Sequence, residues 1–178
     1  MPKKSVIVSR LGIFILLLTA IICQGQDVYL LNTAYPVHDL ENHLKIVEDT
    51  ADQINLDRLL SDTNITFSSR ADFPRYLDQR STYWGKIDLI VKGELEGWTL
   101  QLEDRYRGSP AWGKSNGQVD VYAYAGQEQL FHKKTGVEYP KNERDPADHW
   151  IINQVGLAEL PTDQPITLWI KIRGNSFG

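Results

Sequence analysis

Residues 82–92 read Thr-Tyr-Trp-Gly-Lys-Ile-Asp-Leu-Ile-Val-Lys, and their apolar and polar side chains alternate. Such alternation is typical of a β-strand that buries one face. The side chains expected on the buried face are Tyr83, Ile87, Leu89 and Val91. Those expected on the opposite face are Trp84, Lys86, Asp88 and Lys92. The stretch therefore predicts a long strand with one side in an apolar core.

The same period of two recurs along the chain between short turn signals. The further strands that it predicts are residues 97–103, 118–124, 128–133, 150–155 and 166–173. Glycines, prolines and an Asn-Gly pair separate these strands. Residues 55–60 predict a single helical turn, with Asn55 or Asp57 as its N-cap. The whole pattern predicts an all-β fold, specifically an antiparallel β-sandwich.

Length and composition set further bounds on the function. The chain has 178 residues, of which 42% are hydrophobic and 24% are charged, and its formal net charge is −4. These values predict one domain or two small ones, and they exclude bulk disorder. The acidic balance argues against a nucleic-acid partner, because such a protein would carry a basic patch.

Residues 1–25 have the layout of a secretory signal peptide. A basic start precedes an apolar run at 11–23, which is short for a transmembrane helix. Gly25 is a small residue suited to cleavage after it, and the alternative is a lipoprotein in which Cys23 is lipidated. Since Cys23 is the only cysteine, a cleaved chain has no disulfide and no thiolate ligand. An exported protein without disulfides is expected at the bacterial envelope.

The chain after the signal peptide is expected to form one domain that is preceded by a short irregular segment. Residues 26–45 predict an irregular lead-in, to which Val28, Leu30 and Leu31 add at most one strand. Residues 46–174 are expected to form the β-sandwich, and 175–178 to begin a linker or end the chain.

Several aromatic side chains have the wrong strand parity for the core, and they form the first candidate ligand site. If the apolar face of residues 82–92 points inward, Trp84 points outward. By the same parity, Tyr122, Tyr124 and Trp169 oppose the core, and Asp120 shares their face. Sugars stack their C–H faces on such rings, and a nearby carboxylate fixes hydroxyl groups. The alternatives are that a loop or the lead-in covers the rings, or that a β-bulge reverses the parity of Trp84. Trp98 shares the parity of Leu100 and is expected in the core.

The loop at residues 104–113 forms the second candidate ligand site. It is long for a hairpin and carries Arg105, Arg107 and Trp112. Paired arginines bind carboxylate or phosphate groups through two parallel hydrogen bonds. The alternative is an ordinary solvated loop.

No motif in the sequence indicates an enzyme, a metal or a cofactor. The turn at residues 108–110 lacks the second glycine of a hydrolase nucleophile elbow, and Pro110 cannot supply an N–H to an oxyanion. Carboxylate pairs in turns are expected to be solvated. The four histidines show no ligand spacing, and the polar loop at 142–145 cannot supply all the oxygens of a calcium site by itself.

Several short motifs occur in the order found in a known family. They are the helical turn at 56–60, Asn-Ile-Thr-Phe at 64–67, Ser-Thr-Tyr-Trp at 81–84, Leu-Gln-Leu at 100–102, Val-Asp-Val-Tyr at 119–122, Gly136 to Pro140 with Arg144, and the last strand at 167–172. In these features the chain resembles the periplasmic domain called 7TMR-DISM extracellular domain 2. That domain precedes seven transmembrane helices in bacterial receptors that carry diverse intracellular signalling modules. The resemblance covers residues 44–174, although Lys92-Gly93-Glu94 stands where family members usually have asparagine.

The resemblance implies a fold and a function. The implied fold is a jelly-roll sandwich similar to carbohydrate-binding modules, and the implied ligand is a carbohydrate or another small molecule. The chain is then the exported sensor domain of a bacterial receptor, with a membrane region expected downstream of Gly178 and a homodimer as one way to pass on the signal. The alternatives are a secreted carbohydrate-binding module without a signalling role and a structural envelope protein.

Overall fold

The structure is a computed structural model that describes residues 28–73, 78, 80–102, 117–145 and 154–174. Most of these residues belong to β-strands or to the turns between them. The strands are β1 (Tyr29–Asn32), β2 (Lys45–Asp49), β3 (Ser68–Ser69), β4 (Thr82–Lys92), β5 (Thr99–Gln101), β6 (Gln118–Ala125), β7 (Glu128–Thr135), β8 (Gln154–Gly156) and β9 (Pro165–Arg173). One short helix, α1, spans Leu56–Ser61, and single 3-10 turns lie at Glu41–His43, Arg70–Asp72 and Lys141–Glu143. The prediction of a β-rich chain is confirmed.

Seven strands form the main sheet, in the order β3-β2-β4-β9-β6-β7, with β1 also paired to β4. The first part of one edge of β4 pairs with β2 and the last part pairs with β1, so the two strands share that edge. All pairs on the main path are antiparallel, whereas β1 runs parallel to β4. The expectation of purely antiparallel pairing is therefore wrong at β1. Strands β5 and β8 form a separate antiparallel pair.

The main core lies on one face of the large sheet. Leu89 and Val91 of β4 are fully buried there, as their alternation predicts. The small sheet contributes Leu100 and Val155 to the same cluster, so it packs against this face. Trp98 is half-buried against the cluster, which confirms its predicted place in the core.

The opposite face of the sheet is partly covered by the segment from residue 53 to residue 67, called the cover below. Its centre is α1, which begins after Asn55, whose side-chain oxygen accepts a hydrogen bond from the Arg58 N–H at 2.8 Å. Asn55 is thus the N-cap, and the alternative cap Asp57 lies inside the helix. Leu59 is the buried residue of α1 and points to the sheet.

The N-terminal part of the domain is more regular than its sequence suggests. Residues 29–32 form β1, the one strand that the sequence allowed in the lead-in, and residues 45–49 form β2, which begins at the last residue of that region and was not expected. Polar side chains at both ends of β2 hide its alternation, while its second residue, Ile46, is buried. Residues 29–32 and residue 45 of the lead-in therefore belong to the sheet, and residues 33–44 connect them through turns and the 3-10 turn at Glu41–His43.

Candidate functional site

The four rings predicted to oppose the main core do lie on the opposite face of the sheet. Trp84, Tyr124 and Trp169 form a second buried cluster with Leu59, and Tyr122 packs against it. The strand register explains the grouping, because residue 169 pairs with residue 122 and lies two residues from residue 171, the partner of residue 84, so that all three side chains share one face. Strand parity alone was sufficient to predict this orientation.

The rings are nevertheless not an exposed platform, because the cover lies over three of them. Trp84 is 1% exposed, Trp169 is 7% exposed and Tyr124 is 8% exposed. Phe67 of the cover lies with its ring centroid 5.7 Å from that of Trp169. Of the two covering segments considered, a loop or the lead-in, the structure shows the first: residues 53–67, which connect β2 to β3, lie over the rings. A bulge does occur, between β6 and β7 at residues 123 and 124, but it leaves the parity of Trp84 unchanged.

Polar contacts anchor the cover to the sheet at its first residues. Asp49, at the end of β2, is 5% exposed, and its two carboxylate oxygens accept hydrogen bonds from the backbone N–H groups of Gln53 and Ile54 at 3.0 and 2.7 Å. The indole N–H of Trp84 donates to the Ile54 carbonyl at 3.0 Å. The Trp169 Nε1 is buried beneath the cover without a hydrogen-bond partner among the residues that the structure describes.

Beside the cover, the same sheet face carries a half-exposed group of side chains, called the polar patch: Asp120, Tyr122, His132, Tyr139 and Lys171. The Tyr122 and His132 rings stack with centroids 4.1 Å apart and planes 14° apart. Asp120 accepts hydrogen bonds from His132 Nε2 and from the Tyr139 hydroxyl, both at 2.7 Å. Since a carboxylate only accepts, the His132 proton lies on Nε2 in this arrangement.

The carboxylate of Asp120 and partial burial change the ionisation of the neighbouring phenols. Burial, followed by the negative charges at Asp120 and Tyr124, raises the pKa of Tyr122 from 10.0 to about 12. Burial and the hydrogen bond to Asp120 also raise the pKa of Tyr139 above its ordinary value. Both phenols are therefore neutral hydroxyl groups at physiological pH and can donate or accept hydrogen bonds.

Positive charge lines one side of the polar patch. Lys171 is the cross-strand partner of both Asp120 and Trp84, and its Nζ lies 5.5 Å from the centre of the Trp84 ring. It also forms an ion pair with Asp52 at 3.0 Å, and Arg173 forms a second ion pair with the same carboxylate. Asp52 lies in the connection between β2 and the cover.

Sequence reasoning found part of this site and missed part of it. Of the residues named in advance, Asp120 and Tyr122 lie in the polar patch, while Arg105, Arg107 and Trp112 lie outside the described residues. His132 was missed, although its parity opposite buried Phe131 was a usable signal. Tyr139 and Asp52 lie in loops, and no local pattern places them next to a distant strand.

In the parts of the chain that the structure describes, no three His, Cys, Asp or Glu side chains are grouped as a metal ion would require. No helix among these residues has the length and apolar character needed to cross a bilayer.

Comparison with known proteins gives no family to which the chain can be assigned. None of the protein-family models matches the sequence, and no curated protein aligns with it significantly.

Proposed function

We propose that this chain is an extracytoplasmic binding domain that recognises a small polar ligand, a carbohydrate in the first instance, at the polar patch. The observation that carries the proposal is the Tyr122–His132 ring stack beside the Asp120 carboxylate on a sheet face away from the main core. Nothing in this arrangement requires chemical turnover, so the proposed role is binding without catalysis.

The polar patch offers both kinds of contact that a sugar needs. The apolar C–H face of a sugar ring packs on an aromatic or imidazole ring, and the outer ring of this stack is exposed His132. Sugar hydroxyls need donors and acceptors close to that ring. Asp120 supplies acceptor oxygens, Lys171 supplies donors, and the Tyr139 hydroxyl, whose proton is donated to Asp120, supplies a further acceptor.

The proposal includes the finer fold and the biological setting. A mostly β chain with its apolar core on one side of a main sheet is compatible with a jelly-roll sandwich like that of carbohydrate-binding modules. In the resemblance to 7TMR-DISM extracellular domain 2, such a domain is the exported sensor of a bacterial membrane receptor. A ligand passes a signal on only if it binds two conformational or oligomeric states with different affinity.

Binding is tested by titrating the protein, expressed from residue 26, with a panel of neutral oligosaccharides and measuring heat and thermal stability. For any oligosaccharide that binds, His132→Ala should weaken binding about tenfold, because one stacking surface is lost. Glu128→Ala, at the exposed start of the same strand, is the matched control and should leave the affinity unchanged. Equal affinities in all three proteins would exclude the polar patch, and absence of binding to every sugar would count against the carbohydrate class.

The setting is tested on the native protein in its own cells. An antibody against residues 26–178 applied to separated cell fractions should detect a protein larger than 20.3 kDa in the membrane fraction. A soluble protein of about that mass would contradict the receptor role and favour a secreted binding module.

A further inference from the structure

The Asp52 carboxylate lies between two cations of β9, and one of them, Lys171, belongs to the polar patch. One of its oxygens forms an ion pair with the Lys171 Nζ at 3.0 Å and accepts a hydrogen bond from the Thr82 hydroxyl at 3.2 Å. Its other oxygen forms the ion pair with Arg173. Lys171 and Arg173 lie two residues apart on β9, so both side chains project from the same face of the sheet.

The two cations are held more firmly than the carboxylate between them. Lys171 and Arg173 belong to a central strand that is paired on both sides, with β4 and with β6. Asp52 belongs to a connection, and its backbone has a positive φ of 50°, which is uncommon for a residue other than glycine. The sheet therefore fixes the backbone from which both cations project, and we expect Asp52, which projects from a connection, to be the partner that is exchanged.

The cation pair overlaps the polar patch, because Lys171 belongs to both. Lys171 is the cross-strand neighbour of Asp120, and neighbouring strands lie about 5 Å apart. A ligand on the Tyr122–His132 rings can therefore reach Lys171 without leaving the sheet surface. The part of the ligand that reaches Lys171 and Arg173 must be negatively charged, because a positive or neutral group cannot replace the two ion pairs that Asp52 forms.

We propose that Lys171 and Arg173 form an anion subsite for a carboxylate-bearing sugar, and that Asp52 fills this subsite as an internal substitute while no ligand is bound. The inference rests on the proposed function for the neighbouring rings and assigns its ligand class, an acidic carbohydrate of the uronate type. The ligand carboxylate replaces that of Asp52, and the displaced side chain turns to water.

Displacement of Asp52 has a consequence for the cover. Asp52 precedes Gln53 and Ile54, which are the residues that Asp49 holds at the start of the cover. Freeing Asp52 breaks the ion pairs that hold the connection before the cover to β9, and it leaves Asp49 and the Trp84 indole as the polar anchors at the start of the cover. Ligand binding should therefore raise hydrogen exchange in residues 53–67.

The test uses two probes with the same sugar backbone, trigalacturonate and its fully methyl-esterified form, in which uncharged methyl esters replace the carboxylates. The wild-type protein should bind the acid more tightly than the ester, and the difference should shrink at 1 M salt because screening weakens exposed ion pairs. Asp52→Asn should raise the affinity for the acid about fivefold, since it removes the competing carboxylate and asparagine tolerates the same backbone conformation. Arg173→Gln should abolish the preference for the acid.

The matched control is Asp163→Asn. Asp163 also has a positive φ, of 62°, and also forms an exposed ion pair, with Lys92, in a different part of the fold. This variant should bind both probes as the wild type does. A gain in acid binding that is equal in the two variants would indicate a general charge effect and would overturn the proposal.

The outcomes separate this inference from the proposed function. If neutral sugars bind through His132 but the acid has no advantage and Asp52→Asn changes nothing, the anion subsite is wrong and the polar patch stands. If the acid binds Asp52→Asn through Lys171 and Arg173 while neutral sugars fail to bind, the subsite stands without the proposed carbohydrate platform. If trigalacturonate binds neither wild type nor Asp52→Asn, the subsite is refuted.

Discussion

Asp49 is the residue whose replacement should most directly release the cover from the sheet. Its buried carboxylate accepts one hydrogen bond from each of two consecutive backbone N–H groups, those of Gln53 and Ile54. These bonds fix the turn that directs the chain from β2 into the segment over Trp84. We consider two substitutions, Asp49→Asn and Asp49→Ala.

The expected magnitude follows from the number of N–H groups that lose their acceptor. A buried polar group left without a partner costs about 1–3 kcal/mol. Gln53 is exposed and its N–H can turn to water, whereas Ile54 is half-buried. Asparagine keeps one acceptor for Ile54, so Asp49→Asn should lower the free energy of unfolding by about 1 kcal/mol. Alanine keeps neither, so Asp49→Ala should lower it by about 2 kcal/mol.

Two measurements check this prediction. Urea unfolding followed by tryptophan fluorescence gives the change in the free energy of unfolding. Hydrogen exchange gives the local effect, which should be concentrated in residues 53–67, because the main core lies on the other face of the sheet. Asp57→Asn is the control: this carboxylate lies on the exposed side of α1, and its loss should change stability by less than about 0.5 kcal/mol.

The reasoning would be refuted by an Asp49→Ala protein that matches the wild type in stability and in exchange of residues 53–67. It would also be refuted by loss of protection spread evenly over β4, β6 and β9. Either result would mean that the cover is held by its apolar contacts and that the carboxylate is dispensable.

Two further predictions concern a turn and a phenol. Gly93→Ala should lower the free energy of unfolding in urea by about 1–2 kcal/mol more than Gly126→Ala does. Both glycines have positive φ, but a Cβ added at residue 93 meets the side chain of Thr33, whereas one added at residue 126 meets nothing within 4 Å. An equal loss of stability in the two variants would contradict the close contact between Gly93 and the Thr33 side chain. The pKa of Tyr122 is raised from 10.0 to about 12, so the stability that its neutral form contributes is present below pH 10 and is lost as pH rises from 10 toward 12. Unfolding at a series of pH values should show a smaller decline for Tyr122→Phe than for the wild type, and an unchanged decline would contradict the raised pKa.

The long strands of the β-rich fold could be predicted because their side chains alternate between the main core and the opposite face of the sheet. The alternation in residues 82–92 predicted both the bounds of β4 and the burial of Leu89 and Val91. Strand β2 could not be found in this way, because its ends carry Lys45 and Asp49 and a short strand leaves too few positions for a clear period. The parallel pairing of β1 was equally hidden, since pairing partners are distant in sequence.

For the candidate site, parity determined which face each ring lies on but not what covers that face. Trp84 and Trp169 were correctly placed opposite the main core, yet the exposure that a stacking platform needs was removed by a segment whose own sequence shows only one helical turn. The sequence by itself therefore determined the local features of the structure, because these depend on neighbouring residues. They are the positions of the strands, the directions of their side chains and the capped helical turn at Asn55. Only the tertiary structure decided that residues 53–67 fold over the rings and that Asp52 meets Lys171 and Arg173, more than a hundred residues away. Such contacts join residues that are distant in sequence. Their geometry depends on the path of the loops between the strands, which local hydrophobic periodicity does not predict.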